Sequence, residues 1–252
     1  MSIITLLTDF GTADSYVAEV KGVLLSRAPT ATLVDISHDV PPGNVRAGQY
    51  LLSRVWSRFP AGTVHLVVVD PGVGTDRRAL AAQAGGHRFV GPDNGLFTLL
   101  PDDARFVALP ILRDASPTFH ARDVFAPAAA RLAAGARLDE LGTAVSDVVR
   151  ALVASPRVSE TVVVGEVVYA DRFGTLISNI PRDLIRPGAA IKVADVGVGP
   201  LRRTFGDVAT GKVVAYLGSG GMLEIAVRDG SAVAVLKVGV GAVVAADRGR
   251  PR

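Results

Sequence analysis

The sequence predicts an α/β domain, a mostly parallel sheet with covering helices, followed by a small all-β barrel. Two observations carry this. From residue 3 to about 135, β-branched apolar runs alternate with stretches whose apolar residues recur at helical spacing, as strand–helix units do. Past about residue 150 the runs become short, Val-rich and punctuated by Gly, Asp and Pro, with no helical stripe of ten residues, the signature of a barrel or sandwich. The expected boundaries are 1–153 for the α/β domain and 161–246 for the barrel, with 154–160 as linker.

Each element has its own justification. A strand over 3–7 ends at Thr8-Asp9-Phe10-Gly11, and Asp14 is placed to cap a helix over 15–27. Val17, Val20, Leu24 and Leu25 share one face of that helix. A strand over 31–36 leaves through Asp35-Ile36-Ser37-His38; after the Pro41-Pro42-Gly43 loop, Asn44 caps a helix over 45–59. The strand 63–69 closes on Val67-Val68-Val69, a run suited to a strand covered on both faces. It runs into Asp70, and Pro71, Gly72 and Gly74 then break the chain. Strands over 79–84 and 87–90 turn at Gly85-Gly86, and a strand over 105–109 follows the Gly91-Pro92-Asp93-Asn94-Gly95 loop. Arg122-Asp123 leads into an alanine-rich helix with Pro127 in its first turn and Gly135 at its stop. In the barrel, strands are expected over 161–169, 191–196, 213–217, 223–227, 232–236 and 240–244.

Composition excludes several function classes. The chain has 252 residues, 49% of them hydrophobic, enough for a substantial core. With no cysteine, there are no disulfides, thiolate metal sites or cysteine nucleophiles. No basic region precedes a longer apolar stretch at the start, so no signal peptide is expected. No apolar run reaches the ~18 residues of a membrane helix, so no membrane partner is expected and the cytoplasm is the expected location. The net charge of +3 is scattered apart from a short basic tail, DRGRPR at 247–252. A nucleic-acid groove wants clustered charge with interleaved aromatics, so nucleic acid is not an expected partner.

Four polar sets fall at strand ends of the first domain: Asp9, Asp70 with Arg77, Asp93-Asn94, and His120 with Arg122-Asp123. Ligands of open α/β sheets bind outside the carboxyl ends of strands, so the sets can share one crevice. There is no Walker lysine motif, no GxGxxG and no GxSxG elbow. The histidines (His38, His65, His87 and His120) lack the i,i+4 pairing of a zinc helix, so no metal site is expected. His65, inside a strand, and His87, at a hairpin, read as structural.

Seven motifs run in order along nearly the whole chain: TDFG at 8–11, DISH at 35–38, VVDPGVGTDRR at 68–78, GPDNGLF at 91–97, FHARDVFAP at 119–127, DRFGTLISNI at 171–180 and GSGGMLEIAV at 218–227. The set resembles the S-adenosyl-L-methionine (SAM) hydrolase (adenosyl-forming) family, also called SAM hydroxide adenosyltransferases, relatives of the fluorinase and chlorinase. The resemblance implies attack of water or hydroxide on C5′ of SAM, releasing adenosine and L-methionine, with SAM as substrate and no cofactor. It also implies a homotrimer holding its ligand between subunits. The catalytic Asp–Arg–His set matches Asp70, Arg77 and His120. Asp9 matches a carboxylate that binds the ribose diol; Asp171 and Ser219 match contacts to the methionine ammonium, with Glu224 as a further candidate. Asn94, Phe173 and Thr175 complete the expected substrate-binding residues.

The chemistry is self-consistent. A sulfonium leaves as a neutral thioether and needs no general acid, and a dry pocket favours hydroxide meeting a cation. Arg77 beside the water would stabilise developing hydroxide. The same Arg makes Asp70 a poor base, so Asp70 is expected to hold Arg77 and the water, with His120 the better proton acceptor. Three departures stand out: Thr175 replaces a common Asn that reads the adenine edge, Ala121 replaces a usual Gly, and Gly43 stands where halogenating members carry a bulky aromatic. The stretch 100–120 is also too short for the halogenating enzymes' extra loop. Gly43 and the short 100–120 stretch both favour water over halide as nucleophile. The competing readings are a non-catalytic SAM or adenosine binder, a halide-using adenosyltransferase, and a hydrolase of other nucleosides or esters.

Overall fold

The computed structural model describes residues 2–151 and 155–248. The chain divides into two compact units, Met1–Leu152 and Val153–Arg252. Position 154 of the expected linker and 249–252 of the basic tail lie outside the described residues.

The first unit contains β1 (Ile3–Thr8), α1 (Tyr16–Arg27), β2 (Thr32–Ser37), α2 (Val45–Val55), β3 (Val64–Val68), β4 (Ala79–Ala84), β5 (His87–Pro92), β6 (Arg105–Leu109), α3 (Ala126–Ala133) and β7 (Thr143–Val145). Its sheet has the order β2-β1-β3-β5-β4-β6-β7. The first four strands of that order are mutually parallel, and from β5 to β7 the pairings are antiparallel. The sheet is thus parallel over only half its width. The cause is the expected hairpin: Gly85 (φ 53°) and Gly86 (φ 78°) both take positive φ, the geometry that reverses a strand in two residues. Every residue of β3 is buried. Val20 and Leu24 of α1 and Leu132 of α3 pack with Ile4, Leu6, Leu66 and Val90 of the sheet in one core.

Two helix starts differ in chemistry. Asn44 caps α2 as expected, accepting from the Ala47 N–H at 3.0 Å. A 3₁₀ turn, Trp56–Arg58, takes over where α2 ends. The α1 N-cap is Ser15 and not Asp14, and its hydroxyl donates to the Glu19 carboxylate (2.8 Å), so no side chain caps the backbone.

The second unit contains β8 (Arg157–Val158), β9 (Val162–Ala170), β10 (Leu176–Pro181), β11 (Ala190–Val193), β12 (Val196–Pro200), β13 (Val213–Leu217), β14 (Met222–Val227), α4 (Ala232–Leu236) and β15 (Val243–Asp247). The strands pair in the order β12-β11-β15-β9-β10-β14-β13, with β8 on β9, and every ladder is antiparallel. Beyond β12, Leu201 donates to the Ala189 carbonyl and Arg202 to that of Ala215, which bridges Arg202 to Tyr216 of β13 and nearly closes the barrel. Val163, Val167, Leu176, Ile180, Ile225 and Val244 fill it.

Two expected strands are corrected. The 191–196 run is two strands, because Ala194 takes positive φ (47°) and turns β11 into β12. The 232–236 run is helix α4, whose start Ser231 caps by accepting from the Ala234 N–H (3.2 Å). Five apolar residues fit either period, and the cap decides. Among the described residues, no helix is long and apolar enough to cross a membrane.

Candidate active site

Parallel strands β1, β3 and β5 deliver Asp9, Asp70 and Asp93 past the same edge of the first unit's sheet. After β3 the chain folds into a tight loop: the Val73 N–H donates to the Asp70 carbonyl (3.3 Å), and the Thr75 hydroxyl to that of Gly72 (2.7 Å). Gly74 is required there. Its φ is +79°, and a Cβ would lie 2.7 Å from the Pro117 carbonyl oxygen. The loop therefore seats against the segment that leads to His120.

Arg77 folds back over the loop. Its Nε donates to Asp70 Oδ1 (2.9 Å), and Nη2 donates both to Asp70 Oδ2 and to His120 Nδ1, the latter at 2.9 Å. The Arg77 and Asp70 side chains are only 8% and 5% exposed, and the guanidinium lies 5.3 Å from the Phe125 ring centroid. Nη1 makes only a long contact, 3.5 Å, with the Arg78 carbonyl. A guanidinium can only donate, so His120 Nδ1 is the accepting nitrogen and its ring proton sits on Nε2. Burial, and then the Arg77 charge, hold the His120 pKa below its ordinary value. The imidazole is therefore neutral at pH 7.

Asp9 joins this group. Its Oδ2 accepts from the Gly43 N–H (2.7 Å), and Gly43 abuts Pro71, the residue after Asp70. Phe10, Tyr16 and Phe119 form a ring cluster with centroids 5.4–6.1 Å apart, tying the Asp9 loop to the residue before His120. His120 opens a π-helical turn, Ala121–Phe125, that runs into α3, an irregularity common at functional sites. Ala121 needs no glycine, since its φ is not positive.

The other sets are held elsewhere. Asn94 donates to the Val69 carbonyl (2.8 Å) and accepts from the Leu96 N–H (3.2 Å), bracing the strand end beside Asp70. Asp93 accepts from Arg78 Nε (2.7 Å) and from the Val149 N–H (2.8 Å). Arg122 bonds Asp123 and reaches Glu19 of α1 (2.9 Å), a tie between helices. Of the four sets, Asp9, Asp70 with Arg77, and His120 gather in one place.

In the second unit a groove of about 600 Å³ is lined by Asp171, Phe173, Thr175, Phe205, Tyr216 and Ser231, among others. Asp171 Oδ1 accepts from the N–H groups of Phe173 (2.9 Å) and Thr175 (2.8 Å). That turn presents the Phe173 ring 73% exposed. Burial first, and then the charge of Glu224 on the facing strand, push the Tyr216 pKa up to about 12. The Glu224 carboxylate packs on Gly218, where a Cβ would come within 1.8 Å. Ser219 lies exposed at the same hairpin, outside the groove lining. Phe205 and Tyr216 escaped the sequence reading, although an aromatic in register with a candidate carboxylate is a usable signal: Tyr216 and Glu224 are cross-strand partners.

Comparisons with known proteins bear on both units. Models described as the SAM hydroxide adenosyltransferase N-terminal and C-terminal domains match residues 4–142 and 165–245. An (R)-S-adenosyl-L-methionine hydrolase of Thermus thermophilus is 46% identical over 246 residues, 92% of this chain and 94% of the relative. One of the same name from Salinispora tropica is 41% identical, covering 93% and 94%. At lower identity, 32%, stands a fluorinase of an Actinoplanes species, covering 89% and 90%. The crystal structure of an uncharacterized conserved protein from Thermotoga maritima superposes with a TM-score of 0.89 at 36% identity, over 96% of this chain and 99% of that one.

Proposed function

This chain belongs to the SAM hydroxide adenosyltransferase family, and on that premise we propose how its residues hydrolyse S-adenosyl-L-methionine. Water attacks C5′; the C5′–O bond forms, the C5′–S bond breaks with its electron pair passing to sulfur, and adenosine, L-methionine and a proton leave. No cofactor takes part.

The observation that carries the assignment is the hydrogen-bonded Asp70–Arg77–His120 set at the end of β3. Asp70 uses both carboxylate oxygens on Arg77, which fixes the guanidinium plane. Arg77 Nη1 is the donor that faces the attacking water and stabilises the hydroxide as it forms. His120, neutral and basic at Nδ1, takes the proton, its contact with Arg77 opening as it does so. Asp9 has one carboxylate oxygen on Gly43 and offers the other to the ribose diol.

The relatives at 41–46% identity are named for the (R) sulfonium epimer, and we assign this chain the same configuration. A homotrimer holding substrate between neighbouring subunits, with the barrel domain completing the site, belongs to the same proposal. So does the cytoplasm, since a chain without cysteine gains nothing from an oxidising compartment.

The test is product analysis with each resolved epimer of SAM in ¹⁸O-labelled water, for the wild type and for Arg77→Ala. The expected products are methionine and adenosine labelled at the 5′-oxygen, from the (R) epimer, with Arg77→Ala inactive. Binding without methionine release would overturn the hydrolase reading. Chloride or fluoride yielding 5′-halo-adenosine would move the chain to the halogenating branch.

A further inference from the structure

The DISH motif at 35–38 packs against the turn that carries Asp9, and the chemistry above leaves its histidine without a part. β1 and β2 run in register as far as Leu6 and Asp35; the pairing then slips by one residue, so that Leu7 faces Ser37. β2 ends at Ser37 and β1 at Thr8, so the ladder between them stops short of Asp9. His38 takes over there with its ring and its backbone. The ring is 4% exposed, and its Nδ1 lies 2.8 Å from the Thr8 hydroxyl. The His38 carbonyl accepts the Gly11 N–H (2.7 Å). Asp9 therefore stands between two residues that are both fastened to His38.

The contacts of the ring have a direction. Nε2 faces Asp35 Oδ1 at 3.1 Å, and a carboxylate only accepts, so the ring proton sits on Nε2. That contact is not an aligned hydrogen bond; the carboxylate sets the tautomer by its charge. Asp35 is itself held by Lys21 of α1 (2.6 Å). In this tautomer Nδ1 accepts the Thr8 hydroxyl proton, and the Thr8 oxygen accepts the Phe10 N–H (3.3 Å). A continuous chain of contacts thus runs from Lys21 on α1 to the residues on either side of Asp9.

We propose that His38 is a positioning residue for the ribose of the substrate: by holding Thr8 and Gly11 it aims the Asp9 carboxylate at the diol. The inference rests on the hydrolase reading above and on the part given there to Asp9. The Asp9 side chain has one hydrogen bond among the described residues, to the Gly43 N–H (2.7 Å). Rotation about that single tie would carry the other oxygen away from a hydroxyl, and a misplacement of about 1 Å can cost on the order of 10²-fold in rate. His38 touches no reacting atom; it acts through the turn.

The experiment measures kcat/KM for methionine release from S-adenosyl-L-methionine and from its 2′-deoxyadenosyl analogue, using the full-length protein. The wild type is expected to prefer the ribose substrate by roughly 10–100-fold, because the analogue leaves a hydrogen bond to a carboxylate unmade. His38→Leu should cut that ratio about tenfold, through a loss on the ribose substrate with the analogue nearly unchanged. His38→Asn, whose amide oxygen can stand in for Nδ1, should restore most of the ratio. Thr8→Val removes the hydroxyl with little change of shape and should lower the ratio as far as His38→Leu does. The double variant Thr8→Val/His38→Leu should go no lower, since both residues act through one bond. A role in folding alone would depress both substrates together. The proposal is overturned by equal losses on the two substrates, by a wild type that takes both alike, or by an unchanged ratio in folded His38→Leu. Should His38→Leu not fold, an unchanged ratio in Thr8→Val overturns it. Methionine release from neither substrate by the wild type would instead overturn the hydrolase reading.

Discussion

Arg77→Lys separates geometry from charge. The substitution keeps a cation in a pocket where Arg77 and Asp70 are 8% and 5% exposed, but it replaces a planar fork with a point charge. The fork makes three charge-assisted hydrogen bonds, two to Asp70 and one to His120, and turns Nη1 toward the proposed water. A lysine ammonium cannot span both carboxylate oxygens and His120 Nδ1 while also facing the water. Losing one donor aimed at a developing oxyanion costs about 10²–10³ in kcat, so kcat for Arg77→Lys should fall at least 10²-fold, with a smaller change in KM. Arg77→Ala adds a second penalty, because it strands a buried carboxylate; breaking such a pair costs about 3–5 kcal/mol of stability. The assay is methionine release under saturating SAM, paired with urea melts of all three proteins. Arg77→Lys turning over within about threefold of the wild type, with an intact fold, would refute the positioning role.

Three further outcomes follow from named contacts. His120 is neutral at pH 7 with its pKa held below the ordinary 6.5, and protonation at Nδ1 would expel the Arg77 bond; kcat/KM should be flat near neutrality and fall only below pH 6.5, and a fall beginning above pH 7 would contradict this. His65 is held at about 3 against 6.5, first by burial and then by His87. Between those values the unfolded chain binds the extra proton, so stability should drop as pH falls through this window, by about 1.4 kcal/mol per pH unit from this group; urea melts of His65→Gln should show a shallower acid slope. Gly74→Ala should lower both kcat and stability, because its Cβ would strike the Pro117 carbonyl. Gly62→Ala, also at positive φ but with nothing within 4 Å, is the control that isolates backbone strain, and equal losses in the two variants would exclude the contact.

What the sequence made legible was local. The Val67–Val69 run into Asp70 announces a buried strand with a carboxylate at its end, and Gly85-Gly86 announces the hairpin, because period and turn chemistry are written within a few residues. Gly43 takes a φ of +68°, and a side chain added there would meet Pro71, so a bulky residue has no easy place at this position. Distances between loops were not legible. Nothing in the spacing says that Arg77 meets His120, 43 positions on, whereas Arg122 and Asp123 beside it close a tie to Glu19; polar residues at strand ends look alike until the sheet order is known. Only the ordered motifs, compared with a family, singled out the first pair. In the barrel the apolar run 232–236 fits strand and helix alike, and the Ser231 cap decides for helix; Tyr216 stands in an apolar run, VVAYL, where it looks like any core strand residue.

On the proposed mechanism, the charge of the gathered set gives each of its three members a part. The substrate's sulfonium is a cation, and a bare guanidinium about 4 Å from it would cost about 4 kcal/mol at an effective dielectric constant of 20. Asp70, locked on Arg77 by both oxygens, cancels that field for the incoming substrate. A neutral His120 adds no charge of its own. The set is therefore close to neutral as a unit, yet it still presents an N–H from Nη1 along a fixed direction. On the proposed mechanism, hydroxide forming there would meet a positive group on each side, Arg77 and the sulfonium, while the substrate itself would meet no net repulsion. A histidine protonated in the resting state would undo this balance, so the proposed mechanism depends on the burial of His120 beside Arg77, which holds its pKa down.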